Sequence, residues 1–125
     1  MENLEIARTK STPYVCFDAA TGRLRIEGES YPENVVKFYA PVLEWLQAYF
    51  ANGADRASLS FQIAYFNSST SKVFMTIFDL LEAQAVAGHQ VEVVWICDQD
   101  NDVAIECGEE FQEEVEALPF KIDIR

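Results

Sequence analysis

Residues 65–72 read YFNSSTSK, with four consecutive hydroxyl side chains, Ser68 to Ser71, directly after Asn67. They lie between an apolar run that alternates with period two and one that repeats at helical intervals. Side-chain oxygens at such a junction cap a helix by accepting its orphan backbone N–H groups. One cap needs one oxygen, and here there are four hydroxyls and a carboxamide. A hydroxyl in this place also suits phosphate transfer. The helix start favours added negative charge, and a phosphate brings about −1.5 to −2 charge with three acceptor oxygens. That is enough to abolish a docking surface without unfolding the domain.

Other chemistry is thinly represented. The single histidine, His89, follows Gly88 and has no serine or cysteine paired with it in sequence, so it reads as a turn residue. No GxSxG, GxGxxG, Walker loop or HExxH occurs. No catalytic residues and no cofactor are therefore assigned. In DQDNDVAIECGE, residues Asp98, Asp100, Asp102, Glu106 and Glu109 fall on the ligand positions of an EF-hand calcium loop. Val103 occupies the sixth place, where that loop needs glycine, and a strand rather than a helix precedes it. An acidic turn leading into a helix is the plainer reading, so no metal is assigned. A small-ligand or calcium-binding domain built on the Asp98–Glu109 loop stands as the alternative function. The acidic run Glu106, Glu109, Glu110, Glu113, Glu114 and Glu116 reads as a solvated helix face, or as a docking face for a basic partner helix.

These segments belong to one domain, residues 1–125. Half the residues are hydrophobic, with nine Phe, five Tyr and two Trp, which predicts a packed core. Such a chain buries roughly two-thirds of its unfolded surface and needs no disulfide staples. Twenty-one acidic against nine basic residues give a net charge of −12. That field repels phosphate backbones and anionic lipid, so neither nucleic acid nor membrane is an expected partner. It serves solubility or meets a basic patch on another protein. MENLEIARTK lacks the apolar segment of a leader, and three cysteines without CxxC spacing suit reduced thiols. The expectation is a cytoplasmic protein with Cys16 and Cys97 packed as small hydrophobes.

The elements that must position the hydroxyls follow from periodicity. YVCFDAATGRLRIEG predicts a hairpin about Thr21-Gly22, and RASLSFQIAYF, VEVVWIC and FKIDI predict strands. The first helix is expected to open at SYPEN, with Ser30 and Glu33 at capping-box spacing and Pro32 in the first turn. Pro41 is expected to kink or split that helix near residue 40 before Asn52-Gly53 ends it. A second helix is expected from about Thr70 to Ala87. A third is expected from about Asp102 to Ala117, with Val103, Cys107, Phe111 and Val115 in line. The order predicts an α/β two-layer sandwich: a mixed sheet with an antiparallel N-terminal hairpin, then parallel strands joined by right-handed crossovers. Clean alternation in the strands places the three helices mostly on one face.

SYPEN before the first helix and YFNSSTSK before the second together resemble the SiaC family of bacterial regulatory phosphoproteins. STP near the N-terminus, GRLRIEG, DLLE and EEF extend the resemblance over nearly the whole chain. The family is similar in fold to STAS-type anti-sigma-factor antagonists. The resemblance implies a partner switch: a cognate protein kinase phosphorylates a hydroxyl and a PP2C-type phosphatase removes the phosphate. The unmodified form engages a diguanylate cyclase, raising cyclic-di-GMP synthesis and promoting aggregation or biofilm. By position the implied phosphoacceptor is Ser68, and Asn67, Ser69, Thr70, Lys72, Tyr31, Glu33 and Asn34 are the implied partner-binding residues. This chain has serine where the family has threonine, and STS in place of serine followed by an apolar residue. Both leave an acceptor, with Ser69 or Thr70 as competitors.

Overall fold

The computed structural model describes residues 1–125. Its strands are β1 (Leu4–Ile6), β2 (Tyr14–Asp18), β3 (Arg23–Ser30), β4 (Arg56–Phe66), β5 (Gln90–Cys97) and β6 (Phe120–Ile124). They form one sheet in sequential order. The pairs β1–β2 and β2–β3 are antiparallel, and β3–β4, β4–β5 and β5–β6 are parallel. Between the parallel strands run the helices α1 (Val35–Ala51), α2 (Ser68–Val86) and α3 (Asp102–Glu114). This is the mixed α/β sheet with three helices that the alternating patterns implied. The edge strand β1 escaped the sequence reading, because three residues are too short for a periodic signal.

Alternation sets the layers. Leu24 and Ile26, Leu59, Phe61 and Ile63, and Val91, Val93 and Trp95 are all buried beneath the helices. The other face presents Arg25, Ser60, Gln62 and Lys121 and carries no helix, as the polar alternate positions predict. Cys97 packs in the core, whereas Cys16 is half-buried on the open face beside Arg25. Gly22 closes the β2–β3 turn at φ +74°, where an added Cβ would lie 3.0 Å from both the Arg56 carbonyl and the Tyr49 hydroxyl.

An aromatic cluster holds the helices to the sheet. Phe61 lies 5.0 Å from Phe74, and Phe66, Phe78, Trp95 and Phe111 complete the group. Each fully buried ring contributes about 1.5–3 kcal/mol. The buried face of α3 keeps Phe111 of the expected line, with Cys107 and Val115 packed at its margin, but turns toward Ala104 and Gly108 at its start. Ala104, Gly108 and Phe111 are buried, whereas Val103 is 69% exposed. The cause is Trp95, whose indole lies against the helix and donates to the Ala104 carbonyl at 2.9 Å. Only glycine fits at 108, since a Cβ there would come 2.5 Å from the Trp95 ring.

Pro41 and three helix boundaries also differ from the expectations. Of the kink or split expected at Pro41, the split does not occur, since α1 runs unbroken from Val35 to Ala51. Both Pro41 and Lys37, whose carbonyl loses its helical partner, face solvent, where water can satisfy that oxygen. The helix begins at Val35, so Pro32 and Glu33 lie before it and Ser30 belongs to β3. Lastly, α2 starts two residues earlier than expected, at Ser68, and α3 ends three residues earlier, at Glu114.

Candidate functional site

Parallel strands separated by helices bring all three helix N-termini to the carboxyl edge of the sheet. Each is capped by an asparagine. Asn34 Oδ1 accepts from the Lys37 N–H at 3.0 Å, Asn67 Oδ1 from Thr70 at 2.9 Å, and Asn101 Oδ1 from Ala104 at 3.1 Å. The capping box expected from Ser30 and Glu33 is absent, because Asn34, nearer the helix, supplies the acceptor. The Asn67 cap lies within the run expected to supply it, and an asparagine directly before the helical pattern is the signal that Asn34 and Asn101 share with it.

With Asn67 as cap, none of the four hydroxyls is needed for that job, and each has a separate environment. Ser68 and Ser69 are exposed on the first turn of α2, and Ser71 is half-buried. Thr70 is fully buried. Its expected place on a contact surface, or as a competing acceptor, is therefore corrected: its hydroxyl points into the protein and is not available to a partner. Thr70 Oγ1 donates to the Ser30 carbonyl at 3.1 Å and lies 2.9 Å from Ser30 Oγ. Ser30 Oγ in turn lies 2.7 Å from the Tyr39 hydroxyl on α1. The Asn67 N–H also donates to the Ser30 carbonyl, at 3.1 Å. Ser30 thus ties the SYPEN segment to the YFNSSTSK turn. Burial, only partly offset by the Ser30 hydrogen bond, raises the Tyr39 pKa well above its ordinary value, so the hydroxyl group stays neutral.

The surface above this linkage collects most of the expected contact residues. Glu33, Asn34, Ser68, Ser69 and Lys72 are exposed, and Asn67 and Tyr31 are half-buried. Tyr31 meets Tyr65 edge-on with ring centroids 5.8 Å apart, and Tyr65 is 52% exposed. Val36 and Val103 stand exposed near the starts of α1 and α3. Lys72 joins none of the ion pairs of the fold. No acidic residue occupies the first turn of α2, so added negative charge there would meet no carboxylate from its own helix.

The acidic segment does not take the wrapped form of an EF-hand loop. Asp98 Oδ1 accepts from the Asp100 N–H at 2.8 Å, and the chain is helical from Asp102 onward. Helical spacing spreads Asp102, Glu106 and Glu109 along α3 instead of wrapping them about an ion, and no three acidic, cysteine or histidine groups converge anywhere. His89 Nδ1 lies 2.8 Å from Gln84 Oε1 and the ring stacks near Phe50, a structural placement with no nucleophile beside it.

Comparison with known proteins agrees with this geometry. The model of the SiaC family regulatory phosphoproteins matches residues 6–124. An uncharacterized protein of Pseudomonas aeruginosa (strain UCBPP-PA14) is 37% identical over 122 residues, covering 98% of this chain and 96% of that one. The structure of SiaC of Pseudomonas aeruginosa superposes with a TM-score of 0.93 at 35% identity, covering all of both chains. A structure of the diguanylate cyclase SiaD in complex with its activator SiaC, also from Pseudomonas aeruginosa, matches with a TM-score of 0.93 at 36% identity, covering 98% of this chain and 99% of that one. With the family model spanning nearly its whole length, the chain belongs to the SiaC family of regulatory phosphoproteins.

Proposed function

We propose that this protein is a phosphorylation-controlled partner switch whose acceptor is Ser68. The observation that carries the reading is the exposed Ser68 hydroxyl on a helix start that Asn67 already caps. That oxygen has no structural task, and the local dipole tolerates a phosphate. A cognate kinase would add the phosphate and a PP2C-type phosphatase would remove it. The unmodified protein would bind and activate a diguanylate cyclase, as the SiaC relative activates SiaD. The contact surface is Tyr31, Glu33, Asn34, Asn67, Ser69 and Lys72, with Tyr65 and Val36 as apolar neighbours. Phosphate on Ser68 would place charge in the middle of that surface and desolvate poorly in any complex. The protein itself would perform no catalysis. The switch would act in the cytoplasm. No helix is long and apolar enough to cross a membrane.

Co-expression with a candidate cognate kinase followed by intact-mass measurement tests the acceptor. One added phosphoryl group in the parent, absent from Ser68→Ala, is the expected result. A parent of unchanged mass, or a Ser68→Ala protein that is still modified, would remove Ser68 from the role.

A further inference from the structure

Beneath the acceptor turn lies a group of buried hydroxyls that the capping of α2 does not require. Asn67 alone caps the helix, yet Thr70 is buried completely and its oxygen is committed to Ser30. Ser30 is likewise fully buried at the last position of β3. It engages three groups: its Oγ meets Thr70 Oγ1 and the Tyr39 hydroxyl, and its carbonyl accepts from both Thr70 Oγ1 and the Asn67 N–H. Buried polar atoms are costly unless satisfied, and every buried side-chain donor and acceptor here has a partner. Apolar side chains of similar size in place of Thr70 and Ser30 could fill the same space without needing that network. The polar solution gives directionality, which apolar packing lacks.

We infer that Ser30, Thr70 and Tyr39 form a hydroxyl clamp that positions the acceptor turn, holding Thr70 inward so that phosphate transfer is confined to the outward Ser68–Ser69 edge. These three are positioning residues and touch no phosphate. The inference rests on the Ser68 reading. It adds to that reading the origin of acceptor selectivity within a run of four hydroxyls. The clamp also links the two surface segments, since Tyr39 sits on α1 one turn past Asn34 and Val35, while Thr70 sits on α2 two residues past Ser68. Loosening it at Tyr39 must therefore be felt across the gap, at the start of α2.

The test uses Tyr39→Phe and Ser30→Ala in the full chain, with Asn67 untouched. In the unmodified proteins, amide hydrogen exchange over residues 70–72, the first hydrogen-bonded amides of α2, is expected to quicken roughly three- to tenfold, with β4 and β5 protected as in the parent. In the kinase reaction, peptide mapping is expected to find phosphate only on the Ser68 edge of the parent but partly on Thr70 in both variants. Tyr39→Phe guards against misfolding, because it removes only an oxygen. Unchanged exchange at 70–72 in Tyr39→Phe overturns the clamp, whatever the kinase does. Faster exchange with the same acceptor and the same transfer rate overturns its positioning role. If the parent itself takes no phosphate, the Ser68 reading fails and the positioning role falls with it, while faster exchange would still support the clamp as a physical link.

Discussion

Ser30 Oγ and Thr70 Oγ1, forty residues apart in sequence, lie 2.9 Å from each other with both residues fully buried. This contact joins the end of β3 to the first turn of α2 and lets two separate sequence motifs build one surface. Thr70→Val keeps the shape but leaves the Ser30 carbonyl with one donor fewer and Ser30 Oγ with Tyr39 alone. The expected cost is about 1–3 kcal/mol, with Thr70→Ser recovering most of it. Urea unfolding measures both; a Thr70→Val protein as stable as the parent would mean that the hydroxyl contributes only packing.

Asn67 is the cap of α2, and its removal should act locally. Asn67→Ala leaves the Thr70 N–H without its acceptor and is expected to cost about 1 kcal/mol. Asn67→Asp restores the acceptor and adds charge that the helix start favours, so its stability should equal or exceed that of the parent. Thermal unfolding of the pair separates capping from any partner contact. Equal losses in the two variants would point to the carboxamide N–H₂ group instead.

Ser68 itself has no structural partner, so its substitutions should separate stability from binding. Ser68→Ala and Ser68→Asp are both expected to unfold within about 0.5 kcal/mol of the parent. In a pull-down with a diguanylate cyclase partner, Ser68→Ala should retain binding and Ser68→Asp should lose most of it. Binding of both to the same extent would count against charge at this position as the control.

How much of this was legible in the sequence depended on the reach of each interaction. Strand faces such as Leu59, Phe61 and Ile63 could be read because alternation is a local consequence of the pleat. The hydroxyl turn at the start of α2 could be read because hydroxyls cluster beside an asparagine where a strand pattern gives way to a helical one. Ser30 could not: its spacing to Glu33 imitated a capping box, and only the pairing of β3 with β4 revealed it as a buried residue reaching Thr70. The split expected at Pro41 fails for a related reason, since helix breaking is a local rule and the packing of Tyr39, Val42, Trp45 and Leu46 overrides it. The face of α3 was displaced because Trp95, on another element, selects Gly108.

Glu82 makes the stability depend on acid in a direction that can be worked out. On α2, its Oε1 accepts from the Glu116 and Ala117 N–H groups at 2.9 and 2.8 Å, and its Oε2 from Leu118 at 2.7 Å. These bonds fix the segment where α3 stops short of its expected end. Burial opposes ionisation of Glu82, but the three backbone donors outweigh it and hold the carboxyl below its ordinary pKa. The unfolded chain therefore binds the proton more readily than the folded one, and stability rises with pH. The Glu82 contribution is complete above the ordinary value of 4.5 and disappears as pH falls through the lower folded value. Glu82→Gln should cost about 1–2 kcal/mol near pH 7, at the low end because the carboxylate is partly solvated. The gap between parent and variant should narrow as pH falls below 4.5 and close once it has passed through the lower folded value, where both side chains are neutral. Urea unfolding of both proteins across that range checks it, and a gap independent of pH would show that the amide contacts, not the charge, carry the effect.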